Sequence, residues 1–325
     1  MNKKIIASYI KIHTLVWMLF LPFFILFIDG CSSYSAMKKT TKRIIRDYKA
    51  PDGDLKKRVA IAFFENKTAF VGKGLEENVI RDLVETMKAS CGDILVLGPN
   101  DSGYPDDLLP LPRQASGLID NLNLAKIGRQ LGLNAVVSGA ITEITNHKET
   151  RGILWFKDIH NYIQVHVMTE VYDTQTGAKL LDKSYTRKIE DDDLLYEDDL
   201  YYDSTNQPGK TSIHVINEAL KAIVTDMGEQ ICETVVLQPW RGYITSTFAE
   251  KVVVSSGENV GIRPGDIFDV YDCDSIVKGA EKHRFFVPGL KIGEIKITDV
   301  YPEHAEGVFS SGQNIHAGCS ISPKD

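Results

Sequence analysis

Beyond residue 57 the chain switches repeatedly between strand-length apolar runs and amphipathic stretches. Arg58 to Phe64 is a short β-rich apolar run, as expected of a buried strand. Leu75, Val79, Ile80, Leu83 and Met87 then recur at helical spacing, with Glu76, Glu77 and Arg81 opposite, which predicts an amphipathic helix closed by Cys91-Gly92. "DILVLG" predicts a second buried strand, Leu108 to Pro112 a proline-broken loop, "LAKIGRQLG" a short helix ending at Gly132, and "NAVVSGAITEIT" a third strand. The clearest alternation lies in "IQVHVMTEV": Ile163, Val165, Val167, Thr169 and Val171 share one face of a strand, and Gln164, His166, Met168 and Glu170 share the other. "YDTQTG" turns the chain, and "AKLLDKSYTRKI" returns as the hairpin partner. A last helix is predicted over roughly Thr211 to Thr234, with Ile216, Ala219, Leu220, Ile223, Met227 and Ile231 on its apolar side. The order β-α-β-α-β-β-β-α predicts an α+β or α/β fold, one mixed β-sheet with packed helices, over residues 58–236.

Near Pro239 the pattern changes. From Tyr243 on, short strands ("YITSTFAEKVVVSS", "DIFDVYD", "LKIGEIKITDVYP", "AEGVFSSG") are punctuated by Gly and Pro, and no amphipathic helix is evident. This predicts a small all-β, barrel-like domain over residues 237–325. "GENVGIRPGD" predicts two successive turns whose glycines supply positive φ.

The N-terminus has a different character. Lys3, Lys4 and Lys11 precede the uncharged run "TLVWMLFLPFFILFI", Thr14 to Ile28, of 15 residues. A spanning helix needs ~20 apolar residues and a signal-peptide core roughly 7–15. The length predicts a signal peptide over residues 1–30. Ile28, Asp29 and Gly30 before Cys31 resemble a bacterial lipobox, which implies lipidation at Cys31; Ser32 in the next position implies sorting to the outer membrane, on its periplasmic face. Stable attachment implies more than one acyl chain. Residues 31–57 then form a basic tether; "KKTTKRIIRDYKAPDGDLKKR", Lys38 to Arg58, holds nine Lys/Arg against three Asp, and is expected to be a solvated spacer or a contact to anionic surfaces.

Loss of residues 1–30 removes three lysines and one aspartate, taking the formal charge from −7 to −9. So acidic a chain without a basic cleft has no footprint for nucleic acid. Five cysteines, an odd number, need an explanation in an exported protein. Lipid on Cys31 leaves Cys91, Cys232, Cys273 and Cys319. Of three connectivities, pairing within each domain (Cys91 with Cys232, Cys273 with Cys319) is preferred because folding units close on themselves. No G-x-S-x-G, H-E-x-x-H or Cys-x-x-Cys occurs, and "VGKGLEEN" lacks the spacing of a phosphate loop. His160 and His166 share one strand face but lie about 20 Å apart by strand rise. No catalytic residue, cofactor or metal site is expected. "GILWF", with Ile153, Leu154, Trp155 and Phe156 between charged flanks, is a candidate partner contact if it forms a hairpin tip. The bland alternative is that Trp155 and Phe156 fold back onto the core.

"RVAIAFFENKT", "NAVVSGAITEI" and "VHVMTEVYDTQTGAKLLDKSY", the last closed by Asp173, Thr176 and Gly177, resemble the curli-secretion channel lipoprotein family (CsgG-like) and the related N-terminal domain of TolB-like proteins. "SSGENVGIRPGDIFDVYD", through Gly257, Gly261, Gly265 and Asp266, resembles the last domain of the flagellar assembly protein T family. The curli resemblance implies a pore made from two hairpins per subunit, and the sequence argues against it here. Asn146 to Asp158 is too short for two spanning strands, and Glu190 to Asp203 carries eight acidic residues and no basic one. The acidic run lacks the glycine turn of a calcium loop. The expected function is that of a non-enzymatic assembly or accessory lipoprotein of an envelope, secretion or surface-appendage system. The alternative is a ring-forming secretion channel subunit. Expected partners are envelope or secretion-system proteins, the membrane through the N-terminal lipid, and copies of itself in a homo-oligomer.

Overall fold

The computed structural model describes residues 55–70, 73–101, 104–153, 155–190, 213–280, 283–312 and 314–324. Cys31, the signal peptide, most of the tether and the acidic run beyond Glu190 lie outside the described residues.

The first part is one mixed sheet with helices on both faces. Strand β1 (Lys57–Asn66) pairs in parallel with β2 (Ile94–Leu97) on one side and β3 (Ala135–Ile153) on the other. β3, β4 (Phe156–Asp173) and β5 (Lys179–Glu190) follow as an antiparallel meander, giving the order β2-β1-β3-β4-β5. β1 is apolar throughout because both of its faces are covered. Val59 and Ile61 enter the core beneath helices α1 (Leu75–Ser90) and α3 (Ile213–Val236). Ala60 and Ala62 enter a second core on the opposite face, with Leu124 of helix α2 (Asn121–Gln130). The apolar stripe predicted for α1 is buried along its length, as is that of α3. In β4, Ile163, Val165, Val167, Thr169 and Val171 are all buried, and the opposite face is half-exposed. The meander is thus covered on the α3 side, and on the other it is covered near Val136 and Tyr172 and half-exposed from Gln164 to Glu170.

The second part is a closed six-stranded barrel in the order β11-β12-β7-β6-β13-β8. Its strands are β6 (Gly242–Phe248), β7 (Lys251–Val254), β8 (Ile267–Tyr271), β11 (Lys291–Val300), β12 (Ala305–Gly312) and β13 (Ser320–Pro323). A small hairpin, β9 (Ile276–Lys278) with β10 (Arg284–Phe286), leaves the barrel between β8 and β11. The protein is therefore α+β, a mixed sheet followed by a barrel-like domain. Closure leaves no sheet edge to protect. Trp240 and Phe268 pack in its core with ring centroids 5.7 Å apart. Gly261 and Gly265 take the positive φ expected of them; Gly257 does not.

The cores on the two faces of the sheet and the core of the barrel lie within one compact unit that includes residues 51–325. The tether ends earlier than its composition suggests: Lys57 is already in β1 and buried, Leu55 packs on the barrel core, and Lys56 N–H donates to Val260 O at 2.8 Å. The joint is polar and backbone-rich. Asn134 accepts from Arg58 N–H (2.9 Å) and donates to Arg241 O (2.8 Å). Gly132, at φ +66, lies so close to Ser255 that a Cβ would meet its carbonyl oxygen at 2.3 Å. Arg129, buried at the same joint, donates to the carbonyls of Thr174 (3.2 Å), Gln175 and Cys273 (3.5 Å) and stacks 3.8 Å from the Phe286 ring centroid. A buried guanidinium is tolerated because several carbonyls and an aromatic face replace its water.

Candidate functional site

β3 and β4 outrun the sheet. Pairing of β1 with β3 stops at Ile141, and pairing of β5 with β4 stops at Tyr162 opposite Glu190. Beyond those points, Lys148 to Ile153 and Phe156 to Asn161 pair only with each other among the described residues. Six residues per strand make a ribbon about 20 Å long at 3.4 Å per residue. Gly152, at φ +121, begins the turn, and Ile153 pairs with Phe156 across it.

Trp155 lies at that turn, 88% exposed. A side chain this large and this exposed has not folded back onto the core, so the alternative reading of Trp155 is excluded. Ile153 and Phe156 are the terminal strand residues of the ribbon, and Leu154 lies outside the described residues.

The base of the ribbon is stiffened by charge. Lys188 on β5 pairs with Glu149, which Arg151 also approaches at 3.5 Å, and Lys188 holds the Glu149 carboxyl below the usual carboxylate range. Both cations lie over the Tyr162 ring, Lys188 at 4.2 Å and Arg151 at 5.2 Å from its centroid. His160 pairs with Glu190. His166, further down the strand, bonds Thr186 Oγ1 at 2.9 Å and Gln164 at 2.6 Å. The two histidines therefore have separate partners.

The motif residues of the resemblance are turn residues. Asp173 accepts from the backbone N–H of Gln175 (3.1 Å) and Thr176 (2.9 Å) and closes the β4–β5 turn. Asp266 accepts from Arg263 N–H at 2.8 Å in the barrel. Neither is aimed at a cleft by these bonds. The β4–β5 turn instead meets the barrel side, where Phe286 N–H donates to Thr176 O at 2.9 Å.

The four remaining cysteines come together as two pairs, with different outcomes. Cys91, after α1, and Cys232, on α3, form a disulfide with Cα atoms 6.0 Å apart. Cys273 and Cys319 are neighbours but are two buried free thiols, which corrects the expected second bond. A hydrogen bond from the Cys273 thiol brings Cys319 down to about 6 against the effect of burial; the same bond, with burial, pushes Cys273 far up. A ring nitrogen of His316 and the two sulfurs lie within 4.8 Å of one another. The one local signal was "HAGC", a His-x-x-Cys spacing, with its third member 43 residues upstream of His316.

No protein-family model matches the chain, and no curated protein matches it. Solved structures of similar fold include three bacterial proteins. The PelC dodecamer from Paraburkholderia phytofirmans is 13% identical, over 53% of this chain and 85% of that one, with a TM-score of 0.29. The hypothetical protein CT253 from Chlamydia trachomatis is 15% identical, over 55% and 98%, at 0.32. Lipoprotein GNA1162 from Neisseria meningitidis is 12% identical, over 54% and 97%, at 0.26. Bacterial lipoproteins are thus among the similar structures, at identities and TM-scores that decide nothing about activity or partners. No helix of the described residues is long and apolar enough to cross a membrane.

Proposed function

We propose that this chain is a non-enzymatic lipoprotein of the bacterial envelope, anchored through Cys31 at the periplasmic face of the outer membrane, that serves an assembly or secretion system by binding another protein. The sheet with its ribbon takes the CsgG-like or TolB-like role in this reading, and the barrel takes that of an accessory domain. The observation that carries it is the ribbon: two strands projecting about 20 Å with Trp155 88% exposed at the turn. An exposed tryptophan on a stiff arm offers contact area at little conformational cost, and tryptophan is enriched where partner proteins bind most strongly. The free strands, at six residues each, fall short of the roughly 9–11 that span a bilayer, which favours a protein contact over pore formation.

The test is site-specific photo-crosslinking in intact envelopes. A photoreactive residue at position 155 of the full-length chain is expected to yield one discrete heterologous adduct, absent when the probe sits at Leu290, an exposed position on the barrel part. Adducts only to lipid, or only to further copies of the chain, would overturn the reading and favour the channel alternative.

A further inference from the structure

We propose that Cys273, His316 and Cys319, completed by Asp274, bind a thiophilic divalent cation of the zinc class at the end of the barrel. The placement follows from strand register. β8 and β13 are antiparallel, with Tyr271 opposite Ser320, so the residues just after β8 face the residue just before β13. That register brings Cys273 and Cys319 to one end of the seam, although 46 positions separate them. The "HAGC" turn then delivers the histidine. Cys319 N–H donates to His316 O at 3.3 Å, and Gly318 takes φ +98, a conformation that favours glycine. β6 clamps the turn from the other side: Gly318 N–H donates to Ile244 O at 2.7 Å, and Ile244 N–H to Cys319 O at 2.9 Å.

The donor atoms are arranged as a metal site requires. His316 Nδ1 donates to the Ala317 carbonyl at 2.9 Å, which leaves Nε2 as the ring nitrogen a metal would take in exchange for its proton. Metal-binding histidines are commonly oriented by such a second bond. Nε2 lies 3.3 Å from Asp274 Oδ2, and Asp274 Oδ1 lies 3.8 Å from Cys273 Sγ. The carboxylate therefore bridges the histidine and the cysteine side of the cluster. Donors bound to one tetrahedral zinc at 2.0–2.3 Å stand roughly 3.3–3.8 Å apart, so the Cys273, His316 and Cys319 trio needs only about an ångström of closure from its 4.8 Å limit. Two thiolates, one imidazole and one carboxylate suit zinc and its softer neighbours, whereas calcium and magnesium take oxygen ligands. Cys319 is fully buried and Cys273 nearly so, while His316 and Asp274 stand at the surface, half-opening the site to an arriving ion. Asp272 lies beside Asp274 and His316 and already accepts from Cys273 N–H at 2.9 Å, which holds the loop in place. Such an ion would tie the loop before β13 to the end of β8, and through Cys273 O to Arg129 at the joint.

The experiment uses the full-length chain, extracted in detergent without reductant and assayed for metal, free thiols and cobalt(II) spectra. The expected result is about one zinc per chain, with two thiols that resist alkylation until a chelator is added. Cobalt(II) exchange should give thiolate charge-transfer bands and tetrahedral d–d bands. His316→Gln and Asp274→Asn, both at the surface, should each weaken zinc affinity about tenfold or more, and Cys273→Ser with Cys319→Ser should abolish the charge-transfer bands. If the buried serine variants fail to fold, the two surface variants decide. A freshly extracted chain that carries no metal and a Cys273–Cys319 disulfide would overturn the proposal. So would cobalt binding without thiolate bands, or zinc affinity unchanged in His316→Gln.

Discussion

The two cysteine pairs show how neighbours, as opposed to proximity, decide what a pair of thiols becomes. Cys91 and Cys232 sit where α1 meets α3, in a core of Leu83, Met87, Ile231 and other hydrocarbon side chains. Among the described residues the one hydroxyl bonded to a sulfur is that of Ser90, 3.6 Å from Cys91, and the disulfide fastens α1 to α3 across 141 residues of sequence. Cys273 and Cys319 are both buried, with sulfurs within 4.8 Å of each other, yet they share their corner with a histidine and two aspartates. In the first pair a covalent bond locks topology already chosen by helix packing. In the second, polar donors from a loop and a strand end converge on the sulfurs, and the pair becomes half of a ligand set.

That contrast can be broken in four ways. The largest effect is expected at the bridged pair. Cys91→Ala with Cys232→Ala should cost about 2–4 kcal/mol in denaturant unfolding, since the loop it closes is long; an unchanged midpoint would mean that helix packing alone sets the stability. Next comes the unbridged pair. Zinc at about 100 times its Kd should stabilise the wild-type chain by about 2.7 kcal/mol relative to the chelated protein, and the Cys273→Ser, Cys319→Ser chain not at all. Equal curves with and without zinc in the wild type would return this pair to ordinary buried thiols. Gly318→Ala should cost about 1–2 kcal/mol through its positive φ and also reduce zinc affinity, whereas a stability loss with zinc affinity intact would separate the turn from the site. The smallest change in stability is expected at the ribbon. Trp155→Ser should shift unfolding by no more than about 0.5 kcal/mol, because the side chain is solvated, while removing the partner's protection of the ribbon from protease in envelopes. A large loss of stability there would show that Trp155 packs and does not wait for a partner.

Much of the fold was legible from periodicity. Val79, Leu83 and Met87 at helical spacing, and Ile163 to Val171 at strand spacing, placed α1 and β4 with their buried faces correctly oriented, because core burial imposes the 3.6 and 2.0 periods directly on the sequence. The position of the "GILWF" turn was legible too, from charged flanks around an apolar centre. The free length of the ribbon was not, because it depends on where β1 and β5 stop pairing, a property of neighbouring strands. Arg129 gave no signal at all: within "LAKIGRQLG" it resembles any helix-surface cation, and only the β4–β5 turn, Cys273 and the β9–β10 hairpin, all remote in sequence, bury it.

By itself, the sequence determined the element order of residues 58–236, the faces that go inward and the change of architecture near Pro239, since each is written in local composition and spacing. Which residues meet was decided only in three dimensions. Cys91 finds Cys232 through helix crossing, and Cys273 finds Cys319 through the β8–β13 register. His316 joins the second pair and not the first because a barrel closes on itself, bringing the end of its last loop back to the end of an earlier strand. Closure is a long-range constraint, and no window of the sequence contains it.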